Sequence, residues 1–431
     1  MFVKIFVFLL NYYLFLKLYK NKNIVTYFKM KILQLSPRFP FPPDDGGKIV
    51  VANTYREFSA LGANVILFST NHEKKLYKDA IIEANQYGKS IIFRYNSKNN
   101  IPKIIKSIIS NKPIYIQKFY SKKLISVIEN IVKAENPDIL HSEHTCMAAI
   151  CLYIKEKYNI PFGIRLHNIE HNIWQRTADT TKNIIKYLYV NKQAKLLKKE
   201  EIRLIEQADI NFAITEDEKN ALLKLTNKNN IITASVGVHL DKWIPSDFSQ
   251  RNKNQIVIAT TFNWQPNVDA IRWFLENVMP IIYSKNPQAK MLIIGKNAPK
   301  WINKFNNIGT EYVGYVQDIK KIVGQSGIYV APLFVGAGIR IKIIEAMAMG
   351  MPVVATPISA SGIHATEKDG LFITDNSIDY ANKILELMNN DEYRKNAGIQ
   401  SRIFIENNFS WKLNVEKMLN EYEKILSNSK R

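Results

Sequence analysis

The residues best suited to chemistry lie in one stretch, YVAPLFVGAGIRIKIIEAMAMGMPVVAT, from Tyr329 to Thr356. An apolar run of strand length leads there into Gly336, Ala337 and Gly338, and residues 340–349 then follow helical spacing until Gly350 and Pro352 stop it. Small residues ahead of a helix let backbone N–H groups approach an anion, and the positive end of the helix favours phosphate. Arg340 and Lys342 add fixed positive charge, and an arginine can hold phosphate in a bidentate way. Glu345, about one turn into the helix, would repel phosphate but can accept two hydrogen bonds from a vicinal diol, as the acidic residue of dinucleotide folds does on ribose. Diphosphate site and diol acceptor together suggest a nucleotide. The same residues also fit a plainer account, in which Lys342 and Glu345 form a surface i, i+3 pair worth only tenths of a kcal/mol and the glycines merely turn the chain. Local physics leaves both open.

Two further sets stand near the start and middle of the chain. Gly46 and Gly47 end the loop SPRFPFPPDDGG, where a backbone without Cβ can come close to a ligand. The alternative is a surface turn into a helix from Lys48, with Asp44 and Asp45 serving as cap and first-turn charge. His167 follows an expected strand at 164–166, with Asn168, Glu170 and His171 close behind. Polar residues past the carboxyl end of such a strand face the ligand side of an open sheet, so His167 is placed to contact a bound ligand. The order H-N-I-E-H is not the H-E-x-x-H of zinc-binding helices, and no metal is expected there. Glu216, Asp217 and Glu218 also imitate an acidic metal cluster, yet they open a helix, where negative charge is favourable anyway.

The elements that must position these residues alternate in type. From Met30 on, apolar runs of strand length alternate with longer stretches of helical period, the pattern of α/β proteins with parallel sheets. Strands are expected at 31–35, 64–69, 91–93, 138–140, 164–166 and 210–214, with a helix from 48 that Gly62 caps and a long charged helix over 182–207. A second series follows Gly237, with strands at 255–259, 291–294, 327–331 and 352–356 and a helix over 270–283. The switch falls near 236–248. Residues 30–240 and 241–411 therefore read as two Rossmann-like domains that face a cleft, and 412–431 as a terminal helix with one apolar stripe.

With 431 residues, 46% hydrophobic and 23% charged, the chain is globular and long enough for two cores. A net charge of +21 raises the question of polyanions. Lys, Asn and Ile are abundant throughout and no nucleic-acid motif is present, so an anionic membrane surface is the expected partner and nucleic acid is not. The two cysteines, Cys146 and Cys151, have neither metal nor catalytic spacing and read as buried thiols of a cytosolic protein. Residues 1–29 contain an uncharged run of only 12 residues, 5–16, interrupted by Asn11, which is short of the roughly 20 a membrane span needs. This segment reads as an interfacial anchor, a marginal signal anchor, or sequence ahead of a start at Met30. The last is preferred, because the first strand begins directly after Met30.

Taken together, the stretch from Tyr329 resembles the nucleotide-sugar signature of family 4 glycosyltransferases, which have the GT-B fold. KILQLSPRFPFPPDDGG, RLHNIEHNIW, SVGVHLDKW, FNWQPNVDAIRWF, LIIGKN and YVGYVQDI match in the same order. The resemblance covers essentially Met30 to the C-terminus. It implies a nucleotide-sugar donor held mainly by the C-terminal domain, an acceptor on the N-terminal domain, no required metal, no cofactor beyond the nucleotide-sugar co-substrate, and retention at the anomeric carbon. It also implies that the terminal helix crosses back to the N-terminal domain, and that the loop at Gly46 and Gly47 approaches diphosphate and acceptor.

There are departures. Many relatives carry two glutamates eight apart; this chain has Glu345 but Ala337 at the earlier position, which removes the usual contact to the donor sugar. A basic pair after the first strand of the second domain is also missing, the region reading TTFNWQPN from Thr260. Arg340 and Lys342 then carry more of the diphosphate charge. The expected function is sugar transfer to a glycan or lipid-linked acceptor in cell-surface polysaccharide or glycolipid synthesis, by a cytoplasmic protein peripheral to the inner membrane. Alternatives are a nucleotide-sugar epimerase or sugar phosphorylase on the same architecture, or a non-catalytic protein that binds polyanions or membranes.

Overall fold

A computed structural model describes residues 29–71, 78–336 and 338–429; the hydrophobic segment before residue 29 and Ala337 lie outside the described residues. The strands are continuous apolar runs because a parallel sheet covered by helices buries both faces. Seven of them, β1 (Lys31–Ser36), β2 (Asn64–Asn71), β3 (Lys89–Arg94), β4 (Ile139–Glu143), β5 (Phe162–Leu166), β6 (Ile210–Ala213) and β7 (Ile231–Thr233), form one sheet in the order β3-β2-β1-β4-β5-β6-β7. Six more, β8 (Asn252–Ala259), β9 (Lys290–Ile294), β10 (Thr310–Gly314), β11 (Ser326–Ala331), β12 (Val353–Ala355) and β13 (Leu371–Ile373), form a second sheet in the order β10-β9-β8-β11-β12-β13. The chain reverses direction of travel in each sheet after its first three strands, the switch point at which open α/β sheets bind ligands.

Two compact units can be separated. One holds the described residues up to Ile164, with Gln207–Asp209 and the chain from Leu419; the other holds Arg165–Glu206 and Ile210–Met418. In the first, β1 pairs in parallel with β2 and β4, and Ile32, Leu33, Leu35 and Phe68 are buried between helices. The last helix, Trp411–Ser429, contributes Tyr422 to this unit, where its hydroxyl lies 2.6 Å from Nδ1 of His141 on β4. His141 Nε2 is in turn 3.2 Å from Glu143, which accepts a 2.7 Å hydrogen bond from Gln34. All four side chains are buried. Gly163 allows this packing: a Cβ there would fall 2.5 Å from the Tyr422 hydroxyl.

In the second unit the core is assembled from Ile256, Ile258, Met291, Ile293, Ile328, Val330 and Val354 of the sheet against Phe274, Ile282 and Tyr380 of the helices. The helix expected over 270–283 begins earlier, at Gln265, and runs through a π turn at Phe274–Val278 into Met279–Lys285. Pro280 supplies the reason: it has no N–H for the helical ladder and is accommodated just past the widened turn.

Candidate active site

β11 is wholly buried and delivers the chain to the loop before the helix Ile341–Ala348. That loop is pinned at Leu333, whose N–H donates to Ser359 Oγ at 3.0 Å and whose carbonyl accepts a short hydrogen bond from the Thr356 hydroxyl. Beyond this anchor Phe334, Val335, Gly336 and Gly338 are exposed. Gly338 takes φ +77 with open space around it, a backbone that only glycine adopts cheaply.

Gly336 has a different task from the one its sequence suggests. Its φ is +149, and a Cβ built there would lie 1.8 Å from Nη2 of Arg340 and 3.2 Å from the Trp264 ring. The missing side chain makes room for a guanidinium. Arg340 is the N-cap residue of the helix, and its charged group stands 5.9 Å from the Trp264 ring centre. Burial pulls it below the usual guanidinium value. Its Nε and Nη2 are buried and have no hydrogen-bond partner among the described residues. An arginine stays charged in a protein, so two buried donors without acceptors are costly unless an anion takes them.

Five residues on, Glu345 is largely buried, and desolvation raises its carboxyl above the usual range. Lys342 offsets part of that shift: Nζ lies 2.7 Å from Glu345 Oε2, while half of the lysine side chain stays exposed near the Trp243 ring. The i, i+3 pair is therefore present, with its acidic member inside the protein. The loop and helix bring together Gly336, Gly338, Arg340, Lys342 and Glu345. Trp264 is the neighbour that residue-by-residue reading did not single out, although it stands in FNWQPNVDAIRWF.

His167 follows β5 directly and is buried. His171 has its own partner: its Nδ1 is 2.6 Å from Glu201, whose carboxylate also accepts from the backbone N–H of Glu170 and His171 at 3.1 and 3.2 Å. Glu201 thus caps the helix Glu170–Asp179 from a distant helix. Thr215 caps the helix Glu216–Leu223 by accepting from Glu218 N–H at 3.1 Å. Burial pushes Glu218 up to about 7, and Asp217 pairs with His364 at 3.2 Å.

In the first unit, Gly46 and Gly47 are not the end of a loop but the first two residues of the helix Gly46–Ala60, because Asp45 caps it through Lys48 N–H at 3.0 Å. Asp44 pairs with Lys48 at 3.0 Å. Gly47, like Gly336, sits beneath an arginine: a Cβ would come 2.9 Å from Arg38 Nη2, which is hydrogen-bonded to Asp45 at 2.5 Å. His144, also unforeseen, is held at φ +66 and ψ 151 between β4 and the next helix, a conformation normally left to glycine. No residue type in SEHT announces it.

The family model described as Glycosyltransferase Family 4 matches residues 45–242, and that for Glycosyl transferases group 1 matches 253–390. The chain is a family 4 glycosyltransferase. As such, it has two parallel-sheet α/β domains of the GT-B type. An "Uncharacterized 44.6 kDa protein in cps region" of Klebsiella pneumoniae is 22% identical over 409 residues, 89% of this glycosyltransferase and 97% of the relative. Sucrose-phosphate synthase from Thermosynechococcus elongatus superposes with TM-score 0.65 at 14% identity, covering 93% of this chain and all of that one. HepE of Anabaena in complex with UDP gives TM-score 0.63 at 12% identity, covering 92% of this chain and 100% of HepE. At such identities these two structures establish the fold.

Proposed function

We propose that this glycosyltransferase moves a sugar from a nucleotide-sugar donor, with retention at the anomeric carbon and without a metal, to a glycan or lipid-linked acceptor. The product belongs to a cell-surface polysaccharide or glycolipid, and the protein works peripherally at the cytoplasmic side of the inner membrane. Its donor class is supported by the UDP bound to HepE, and its role by the Klebsiella pneumoniae relative in a cps region. A net charge of +21 favours an anionic membrane surface as partner.

The observation that carries the reading is Arg340, with two buried donors that have no partner among the described residues at the start of a helix, and a largely buried carboxylate five residues on. In the reaction, the bond between the anomeric carbon and the diphosphate oxygen breaks and a bond to the acceptor oxygen forms on the same face. The hydroxyl proton passes to the departing diphosphate. Arg340 and the amides at Gly338 stabilise the charge that grows there, as preorganised donors do. Glu345 accepts from the ribose diol, and Lys342 favours the ionised form of that carboxylate against the effect of burial. His167, Gly46 and Gly47 contribute on the acceptor side, the glycines as backbone donors at a helix N-terminus.

Calorimetric titration with nucleoside diphosphates tests the assignment. Glu345→Gln is expected to weaken binding about tenfold with an unchanged melting temperature, the loss of roughly 1.4 kcal/mol that one charged hydrogen bond represents. Unaltered affinity would remove Glu345 from the site.

A further inference from the structure

The helix Ile101–Ser110 in the first unit is built in a way that the transfer reaction does not explain. Asn100 caps it, its side chain accepting from Lys103 N–H at 3.1 Å, and Pro102 fits the first turn, so the sequence IPKIIKSIIS folds as a helix for local reasons. Yet only Ser107 among its ten residues is buried. Ile101, Ile105, Ile108 and Ile109 are 73%, 50%, 47% and 80% exposed. Their spacing of i, i+4, i+7 and i+8 places all four on one side of the helix. Soluble proteins show single exposed apolar residues freely, but an ordered stripe marks a surface that meets something apolar.

Charge says what that is. Between Glu83 and Glu129 the chain contains no acidic residue and nine Lys or Arg, among them Lys98, Lys103, Lys106 and Lys112 on or beside this helix. None of these four makes an ion pair among the described residues. Lys103 donates to the carbonyls of Asn96 and Lys98 at 2.5 and 2.9 Å, and burial together with Lys118 depresses its amine. An apolar stripe flanked by exposed Lys106 on the helix and by exposed Lys98 and Lys112 beyond its two ends is the arrangement of helices that lie in the interface of an anionic bilayer, the isoleucines below the headgroups and these ammonium groups among the phosphates. A second copy of the chain would bring equally basic segments together, and a nucleic acid would leave the isoleucines without a partner.

We infer that the helix Ile101–Ser110 seats this protein on the surface of an anionic lipid bilayer. The inference rests on the membrane-surface reading given above and names the element that performs it. The docking element belongs to the first unit, and Arg340 and Glu345 belong to the second.

The test uses the full chain with vesicles of phosphatidylglycerol and phosphatidylcholine, or of phosphatidylcholine alone. Sedimentation is expected with the anionic vesicles and to weaken as salt rises, because the Debye length is about 8 Å at physiological ionic strength. Ile105→Ser with Ile109→Ser, and separately Lys106→Gln with Lys112→Gln, are each expected to reduce partitioning at least tenfold while melting temperature and nucleoside diphosphate affinity stay unchanged. A polarity-sensitive fluorophore on Ile109→Cys, with Cys146 and Cys151 buried and protected, is expected to blue-shift on adding anionic vesicles. Wild-type binding that persists in both double variants, or a fluorophore that stays in water while the protein sediments, overturns the assignment of this helix and leaves the membrane reading standing. No sedimentation of the wild type at low salt overturns both.

Discussion

Arg340 occupies the space that a side chain on Gly336 would need, its Nη2 lying 1.8 Å from where the Cβ would stand. The relationship explains why the loop before the helix is built of small residues: they admit the guanidinium, and the guanidinium in turn offers buried donors to an anion. Gly336→Ala is therefore expected to act through Arg340. The variant should fold, weaken nucleoside diphosphate binding, and lower turnover by on the order of 100-fold, the cost of losing one preorganised donor. The control is Gly338→Asn, at φ +77 with open space around it, which a residue tolerant of left-handed backbone should survive with a smaller loss. Equal losses in both variants, measured as kcat/KM, would show that backbone conformation matters and not the room left for Arg340.

A second expectation concerns pH. Burial raises the Glu345 carboxyl and Lys342 pulls it down again. A ribose diol needs the ionised form as acceptor, so nucleotide affinity should be full at higher pH and fall as pH drops through the folded-state pKa, which lies above the usual carboxylate range. Removing the neighbouring charge in Lys342→Met should move that midpoint further up. Titration calorimetry between pH 5 and 8 reads both. A midpoint that stays in place in Lys342→Met would mean that the 2.7 Å pair does not govern the ionisation of Glu345.

A third prediction is about stability in the first unit. Tyr422→Phe removes the 2.6 Å hydrogen bond to buried His141 Nδ1 and should cost about 1 kcal/mol, the net worth of one hydrogen bond. Thermal unfolding checks it. Gly163→Ala should be as damaging, since the methyl would meet the Tyr422 ring; a variant as stable as the wild type would mean that the last helix is not held by this contact.

Much of the architecture could be read from residue order, and the reasons are physical. ILQL in β1 and VILF in β2 are uninterrupted apolar runs because both faces of those strands are covered, and a run of that kind is visible without any partner. β7 and β13 are three residues each, too short for a period to declare itself, and β10 begins with Thr310 and Glu311 and so lacks a run. At the site, Arg340, Lys342 and Glu345 are legible as candidates because they lie within six consecutive residues at the start of one helix. The folding of Arg340 over Gly336, the capping of one helix by Glu201 from 30 residues away and the bond between His141 and Tyr422 across 281 residues are not, because each depends on tertiary approach. Gly46 and Gly47 look like the end of a loop because glycines are poor helix formers, and the cap at Asp45 that starts the helix there shows only in the fold.

The central claim is that a sugar leaves a nucleoside diphosphate held at Arg340. Its most direct test is a transfer assay with a panel of labelled nucleotide sugars and a lipid and glycan extract as acceptor, comparing wild type with Arg340→Ala. The account predicts that one donor is consumed, that labelled sugar appears in an acceptor product, and that Arg340→Ala lowers kcat on the order of 100-fold while retaining its fold. Undiminished transfer by Arg340→Ala, or conversion of a donor to a new free nucleotide sugar with no acceptor product, would contradict it.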